Sequence, residues 1–298
     1  MKRIHKIIIG IVVIVLVFVT LFFLLPVRKV SDGDAYRIER KDPFVGLNLE
    51  AKAVYVFDIV KGEPIFEFNK NTQLPLASLV KVMTALVALN EVIPGAIVEI
   101  DGEAIGGEGD DNLLVGERWK LSDILDFTVV KSSNDGALAV ASAVSAFSFG
   151  GDKENFINKM NEMANEIGLE QTYFLNETGL DLNSYIPGAY GSAQDVAKLF
   201  TYVLKTNPKV LEATQYPTLT VSSKEVRHNI VNSNILTASV SGILASKTGY
   251  TDLAGGNLAV VFDAGFMHPV VAVVLGSSQE GRFEDMKKLM EATYISLK

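Results

Sequence analysis

The sequence predicts a mixed α and β domain in which strands from the two ends of the globular part pair into one antiparallel sheet, packed against a helical cluster. Three observations carry that expectation. Short β-branched runs stand near both ends, and runs with helical spacing fill the middle. Glycine-containing turns separate the strands at each end. With 298 residues the chain can bury a large core, and no internal repeat or second linker divides residues 44–298.

Taken in order, the first element is apolar. Residues 7–25 are interrupted only by Gly10 and Thr20. As a helix this run spans about 29 Å, close to the hydrocarbon thickness of a bilayer, and its Leu, Ile, Phe and Val side chains favour insertion by roughly 5–10 kcal/mol. A cleaved signal peptide has a shorter apolar core and a small-x-small exit, whereas the exit here is Leu25-Pro26-Val27-Arg28-Lys29. Residues 1–27 therefore read as a retained transmembrane anchor. Lys2, Arg3 and Lys6 before the run are nearly balanced by Arg28 and Lys29 after it, so charge does not orient it. Residues 28–43 are polar and aperiodic and read as a stalk.

Strands are expected at 53–58 and 64–68 around the Lys61-Gly62 turn. Helical spacing follows at 76–89, 122–130, 135–146, 155–167 and 194–204. In the fourth of these Phe156, Met160, Met163 and Ile167 share a face, and Gly168 supplies a stop. Strands return at 243–247, 257–262 and 270–275, and a helix at 283–297 closes the chain.

Composition removes several function classes. Residues 1–27 hold three of the 27 basic residues and none of the 35 acidic ones, so the remainder is strongly acidic and no nucleic-acid partner is expected. Absence of cysteine excludes a thiol nucleophile and thiolate metal sites. His5, His228 and His268 are too few and too scattered for a zinc centre or a Ser-His-Asp triad. The acidic stretch 99–117 lacks the ligand spacing of a calcium loop and reads as a solvated loop near the cleft. Gly106-Gly107-Glu108-Gly109 has no following Lys-Ser/Thr, so it is no phosphate loop. No metal or cofactor is expected.

Three short elements carry chemistry. Ser78-Leu79-Val80-Lys81 opens an apolar helix, and the i, i+3 spacing puts a hydroxyl and an amine on one face. Unpaired N–H groups at a helix start suit developing negative charge. Burial and a second cation lower a lysine's pKa, which is what a lysine base needs. Ser132-Ser133-Asn134 offers a hydroxyl and an amide between two helical runs. Lys247-Thr248-Gly249 stands at the end of an expected strand, where Lys and Thr can hold a carboxylate and glycine lets a substrate backbone lie close. Each is commonplace alone: a serine cap, a turn, a strand end.

Together and in this order they match the S-x-x-K, S-x-N, K-T-G set of penicillin-interacting serine enzymes. Much surrounding sequence fits as well, including residues 76–86, Ser132-Ser133-Asn134-Asp135-Gly136-Ala137, Asn176-Glu177-Thr178-Gly179-Leu180-Asp181, Lys247-Thr248-Gly249-Tyr250-Thr251 and Ala254-Gly255-Gly256-Asn257-Leu258. The chain resembles the low-molecular-weight D-alanyl-D-alanine carboxypeptidases from about residue 44 onward. That resemblance implies the penicillin-binding and serine β-lactamase-like transpeptidase fold and an extracytoplasmic domain acting on peptidoglycan stem peptides, with β-lactams as covalent inhibitors. It implies Ser78 as nucleophile, Lys81 as its base, Ser132 relaying a proton to the leaving D-alanine and Lys247 tuning Ser132. Asn134 would bind the substrate backbone, and Thr248 with Lys247 its carboxylate. The N–H groups of Ser78 and Tyr250 would form the oxyanion hole. The family commonly has alanine where Gly136 stands here. Many members also carry a second, β-rich domain and a C-terminal amphipathic anchor, so membrane attachment is expected from the N-terminal run.

The resemblance implies release of the terminal D-alanine, and the same residues could cut D-alanine cross-links as an endopeptidase. A class A β-lactamase needs a glutamate within E-x-x-L-N; Glu154-Asn155-Phe156-Ile157-Asn158 approaches this in letters, but it falls inside an amphipathic helix. A module that binds wall peptides or β-lactams without turnover would not need Ser78, Lys81, Ser132 and Lys247 together.

Overall fold

The computed structural model describes residues 42–105 and 112–298. The expected anchor, most of the expected stalk and the glycine-rich run 106–109 lie outside the described residues. In chain order the elements are β1 (Ala53–Asp58), β2 (Glu63–Phe68), β3 (Leu74–Pro75), a 3-10 turn (Ala77–Val80), α1 (Lys81–Glu91), β4 (Ile97–Glu99), β5 (Arg118–Lys120), α2 (Leu121–Lys131), α3 (Asn134–Ser148) and α4 (Lys153–Ile167). There follow β6 (Tyr173–Phe174), β7 (Ala189–Gly191), α5 (Ala193–Thr206), α6 (Lys209–Glu212), β8 (Thr218–Ser222), β9 (Arg227–Val231), β10 (Ile243–Thr251), β11 (Gly255–Asp263), β12 (Pro269–Ser277) and α7 (Gly281–Ser296). Among the described residues no helix is long and apolar enough to cross a membrane.

The main sheet has the order β10-β11-β12-β1-β2, antiparallel throughout. Its first and last groups of strands join at β12–β1, as the sequence predicts. Side-chain alternation sends successive residues to opposite faces. Ala53, Tyr55, Ala259, Val261, Val271 and Val273 enter the core under the helical cluster. Val54, Val56, Leu258, Val260, Ala272 and Val274 face the other way, where α7 covers them with Phe283, Met286, Leu289 and Met290. Burial on both faces explains why Val270 to Leu275 reads as an unbroken apolar run.

The helices end where local chemistry stops them. Asp152, Ser133 and Ser192 cap α4, α3 and α5 by accepting hydrogen bonds from Glu154, Gly136 and Asp195 N–H. Gly168 closes α4 in the left-handed conformation, at φ 80°. Residues 81–88 of α1 are all buried, so this helix is the centre of the cluster.

Three expectations need correction. Residues 76–89 are not one α-helix, because Ala77 takes φ 48° and a 3-10 turn precedes α1. Lys247 is not at a strand end: β10 runs on to Thr251, with Gly249 paired to Asn257 in the ladder. Glu117, expected in a solvated loop, is buried and lies 2.9 Å from His228 Nε2, which links β9 to the segment before β5. The structure adds a β8–β9 hairpin: Leu219 and Val221 alternate with Thr and Ser in β8, but in β9 one of the two buried positions is His228 and Val231 is exposed, so the second strand carries no apolar alternation.

Candidate active site

The 3-10 turn sets the first pair. With three residues per turn, positions i and i+3 stack directly above one another, and Lys81 Nζ lies 2.8 Å from Ser78 Oγ. The same amine lies 2.8 Å from Asn134 Oδ1 and 2.7 Å from the Thr178 carbonyl oxygen. Lys81 is fully buried, while Ser78 is half-buried and reachable.

Ser132 ends α2 in the left-handed conformation, φ 70°, and Ser133 caps α3, so Asn134 becomes the first residue of that helix. This reversal sets the side chains of Ser132 and Asn134 toward two different amines. Lys247 Nζ lies 2.6 Å from Ser132 Oγ and 2.8 Å from the Thr248 carbonyl oxygen. Burial, with the charges of Lys81 and Arg282 adding to it, holds the Lys247 amine well below the ordinary lysine range. Thr248 Oγ1 donates to Ser233 Oγ at 2.7 Å. Tyr250 is exposed at the edge strand β10. Two buried amines, each touching a reachable hydroxyl, thus lie close together, and each can exchange a proton with its serine.

Two features hold the Ser78 turn against β10 and β11. Asn257 Nδ2 donates to the Pro75 carbonyl at 2.9 Å, and its Oδ1 accepts from Gly276 N at 2.8 Å. At Gly249, a Cβ would come within 2.9 Å of the Leu76 oxygen and 3.1 Å of the Ser78 nitrogen. Glycine at 249 thus lets the protein's own Ser78 turn approach β10.

Some contributors carry no motif letter. The Thr178 carbonyl acts through the backbone, which no side-chain pattern reveals. Arg282, near the start of α7, donates to the Gly249 carbonyl at 2.6 Å and brings a further positive charge beside Lys247. Its signal was a lone arginine 35 positions beyond Lys247. Among the described residues no group of three or more His, Asp or Glu could hold a metal ion. Glu154 is exposed in the first turn of α4, with its N–H given to Asp152.

Residues 39–279 match the family model described as D-alanyl-D-alanine carboxypeptidase. The chain belongs to this family. It is 28% identical over 251 residues to the D-alanyl-D-alanine carboxypeptidase DacF of Bacillus subtilis, an alignment covering 82% of this chain and 62% of that protein. The chain thus matches about three-fifths of the length of its curated relatives. Penicillin-binding protein D2 of Listeria monocytogenes, solved in an ampicillin-bound form, superposes with TM-score 0.69 at 28% identity, covering 83% of this chain and 98% of that one. DacD of Francisella tularensis shares the fold, with TM-score 0.74 at 22% identity over 88% of this chain and 75% of that one.

Gly136, where the family commonly has alanine, has a structural reason. A Cβ there would lie 2.3 Å from Thr128 Oγ1, whose hydroxyl donates to the Ile124 carbonyl at 2.6 Å. Gly136→Ala is expected to cost about 1–3 kcal/mol of stability through overpacking. Adding Thr128→Ala should recover part of that loss, so a double-mutant cycle read by denaturant unfolding must show coupling. Additive losses would mean that the α2–α3 contact relaxes without cost.

Proposed function

We propose that this chain is a membrane-anchored serine DD-carboxypeptidase that removes the terminal D-alanine from peptidoglycan stem peptides and is acylated by β-lactams. In this reading residues 1–27 are the anchor, 28–43 the stalk and 44–298 the catalytic domain, outside the cytoplasm. The single observation that supports it most is the pairing of two buried amines with two reachable hydroxyls: Lys81 with Ser78, and Lys247 with Ser132.

The chemistry follows from hydrogen counting. A neutral lysine amine has two N–H bonds and one lone pair. In this reading a neutral Lys81 keeps its two N–H bonds on Asn134 Oδ1 and the Thr178 carbonyl, 2.8 and 2.7 Å away, and turns its lone pair to the Ser78 hydroxyl at 2.8 Å. Ser78 Oγ attacks the carbonyl carbon of the penultimate D-alanine while its proton passes to Lys81 Nζ. The resulting oxyanion is held by the N–H groups of Ser78 and Tyr250, each such donor being worth about 3–4 kcal/mol of barrier. The C–N bond then breaks as the departing D-alanine amine takes the proton of the Ser132 hydroxyl, and the proton that Lys81 took from Ser78 passes to Ser132 in its place, leaving Lys81 neutral again; Lys247, 2.6 Å from Ser132 Oγ, tunes that hydroxyl. Water attacks the acyl carbon and gives a proton to Lys81, which returns it to Ser78 Oγ as the ester bond breaks. The terminal carboxylate lies against Thr248, Lys247 and the positive field of Arg282, and Asn134 orients the peptide.

Glu154 is exposed, so a β-lactamase would lack a deacylating base there. The test is product analysis on a defined pentapeptide with the detergent-solubilised full chain, alongside labelling by a fluorescent penicillin. Release of D-alanine and long-lived labelling are expected, both abolished by Ser78→Ala. Turnover that survives this substitution would refute the assignment.

A further inference from the structure

At the end of the main sheet away from the β10–β11 turn, the β11–β12 turn carries two large apolar side chains into solvent. Phe266 is 96% exposed and Met267 is 76% exposed. Their turn is firmly built. Asp263 Oδ1 accepts from His268 N at 2.8 Å and Gly265 N at 3.3 Å, and Ala264 N donates to the His268 carbonyl at 2.9 Å. The neighbouring β1–β2 turn is tied to it: His268 Nε2 lies 2.7 Å from Asp58 Oδ2, and Ile59 N donates to the Pro269 carbonyl. That second turn adds Val60, 59% exposed, followed by Lys61. The last turn of α7 meets the same end through Tyr294 packed on Phe262, next to exposed Ile295.

We infer that this end of the sheet is a lipid-contacting surface, with Phe266, Met267 and Val60 dipping into the outer face of the bilayer that holds the chain. The inference rests on the anchored reading above. Three observations favour lipid as the occupant. The apolar run ends at Leu25 and the described domain begins at Asp42, so the connecting residues can extend no further than about 55–60 Å, roughly one domain diameter. The bilayer is therefore always within reach. An aromatic, a methionine and a valine beside a lysine fit the acyl–headgroup boundary, where apolar groups sink about 5–10 Å and lysines stay at the polar level. Of the acids at this end, Asp263 is engaged by the turn's own N–H groups, Asp58 is buried and held by His268, Val60 N and Lys61 N, and Glu63, opposite Asp58 at the start of β2, is exposed and can stay at the polar level with Lys61.

Another exposed apolar loop, with Tyr185 86% exposed, lies at the opposite end, because Asp181 accepts from Thr251 Oγ1 and Leu253 N at the β10–β11 turn. Lipid there would cover the groove that a peptide must enter.

Phe266→Trp and Tyr185→Trp test this in the full chain, reconstituted into phosphatidylcholine–phosphatidylglycerol vesicles with brominated acyl chains. The native Trp119 is fully buried and supplies a constant background. Expected is co-flotation with the vesicles, a blue-shifted emission for Phe266→Trp, and bromine quenching at least about twice that of Tyr185→Trp, as for a side chain at the acyl boundary. Flotation with equal quenching of both variants would overturn the lipid contact and leave the anchor standing. Failure to float would overturn both. A blue shift that follows protein density and ignores bromine would assign the surface to a second copy of the chain and refute the inference.

Discussion

Lys81→Met is expected to slow acylation by a fluorescent penicillin at least ~10³-fold, the upper range for loss of a general base. Methionine is close to lysine in length and needs no hydrogen-bond partner, so it fits a fully buried position. It also removes an amine whose burial itself costs free energy, so the thermal midpoint should move by only a few degrees even though Asn134 Oδ1 and the Thr178 carbonyl lose a donor. Stopped-flow labelling with a parallel thermal melt separates the two effects. A rate within about tenfold of the native one, on a folded protein, would move the base function away from Lys81.

Gly179→Ala should be severe for a different reason. Gly179 sits at φ +81°, and a Cβ there would lie 2.0 Å from the Ala77 oxygen and 2.4 Å from its carbonyl carbon. Backbone is the obstacle, so no rotamer change relieves it. Ala77 immediately precedes Ser78, and any shift that admits the methyl group moves the nucleophile. Gly168→Ala is the matched control, with nearly the same dihedral, φ +80°, and no atom within 4 Å. The control should lose about 1–2 kcal/mol from left-handed strain alone and acylate normally. Gly179→Ala should lose several-fold more stability and most of its acylation rate, read by denaturant unfolding and penicillin labelling. Equal losses in the two variants would mean that the 176–181 segment gives way without disturbing Ser78.

Much of the molecule was legible because side-chain pattern and burial coincide. The amphipathic face of α4, the unbroken apolar runs of β11 and β12, and the pairing of early and late strands all follow from apolar patterning. The reactive side chains were legible because their types and order are rare in combination. What escaped is held by the backbone. Ala77 gives no hint of a left-handed turn, and Gly249 reads as a strand end although the ladder continues through it. The Thr178 carbonyl has no letter of its own. Glu117 was misread because acid-rich neighbours imply solvent, whereas a histidine more than a hundred positions away secures it in the interior.

The non-glycine residues at positive φ include Ala77 and Ser132, which adjoin or supply the two hydroxyls. Each withholds about 1–2 kcal/mol from the folded state. Heat resistance and turnover therefore pull in opposite directions at these two positions. A lineage adapting to higher temperature would have to gain its rigidity in the sheet and outer helices, leaving both kinks wound as they are.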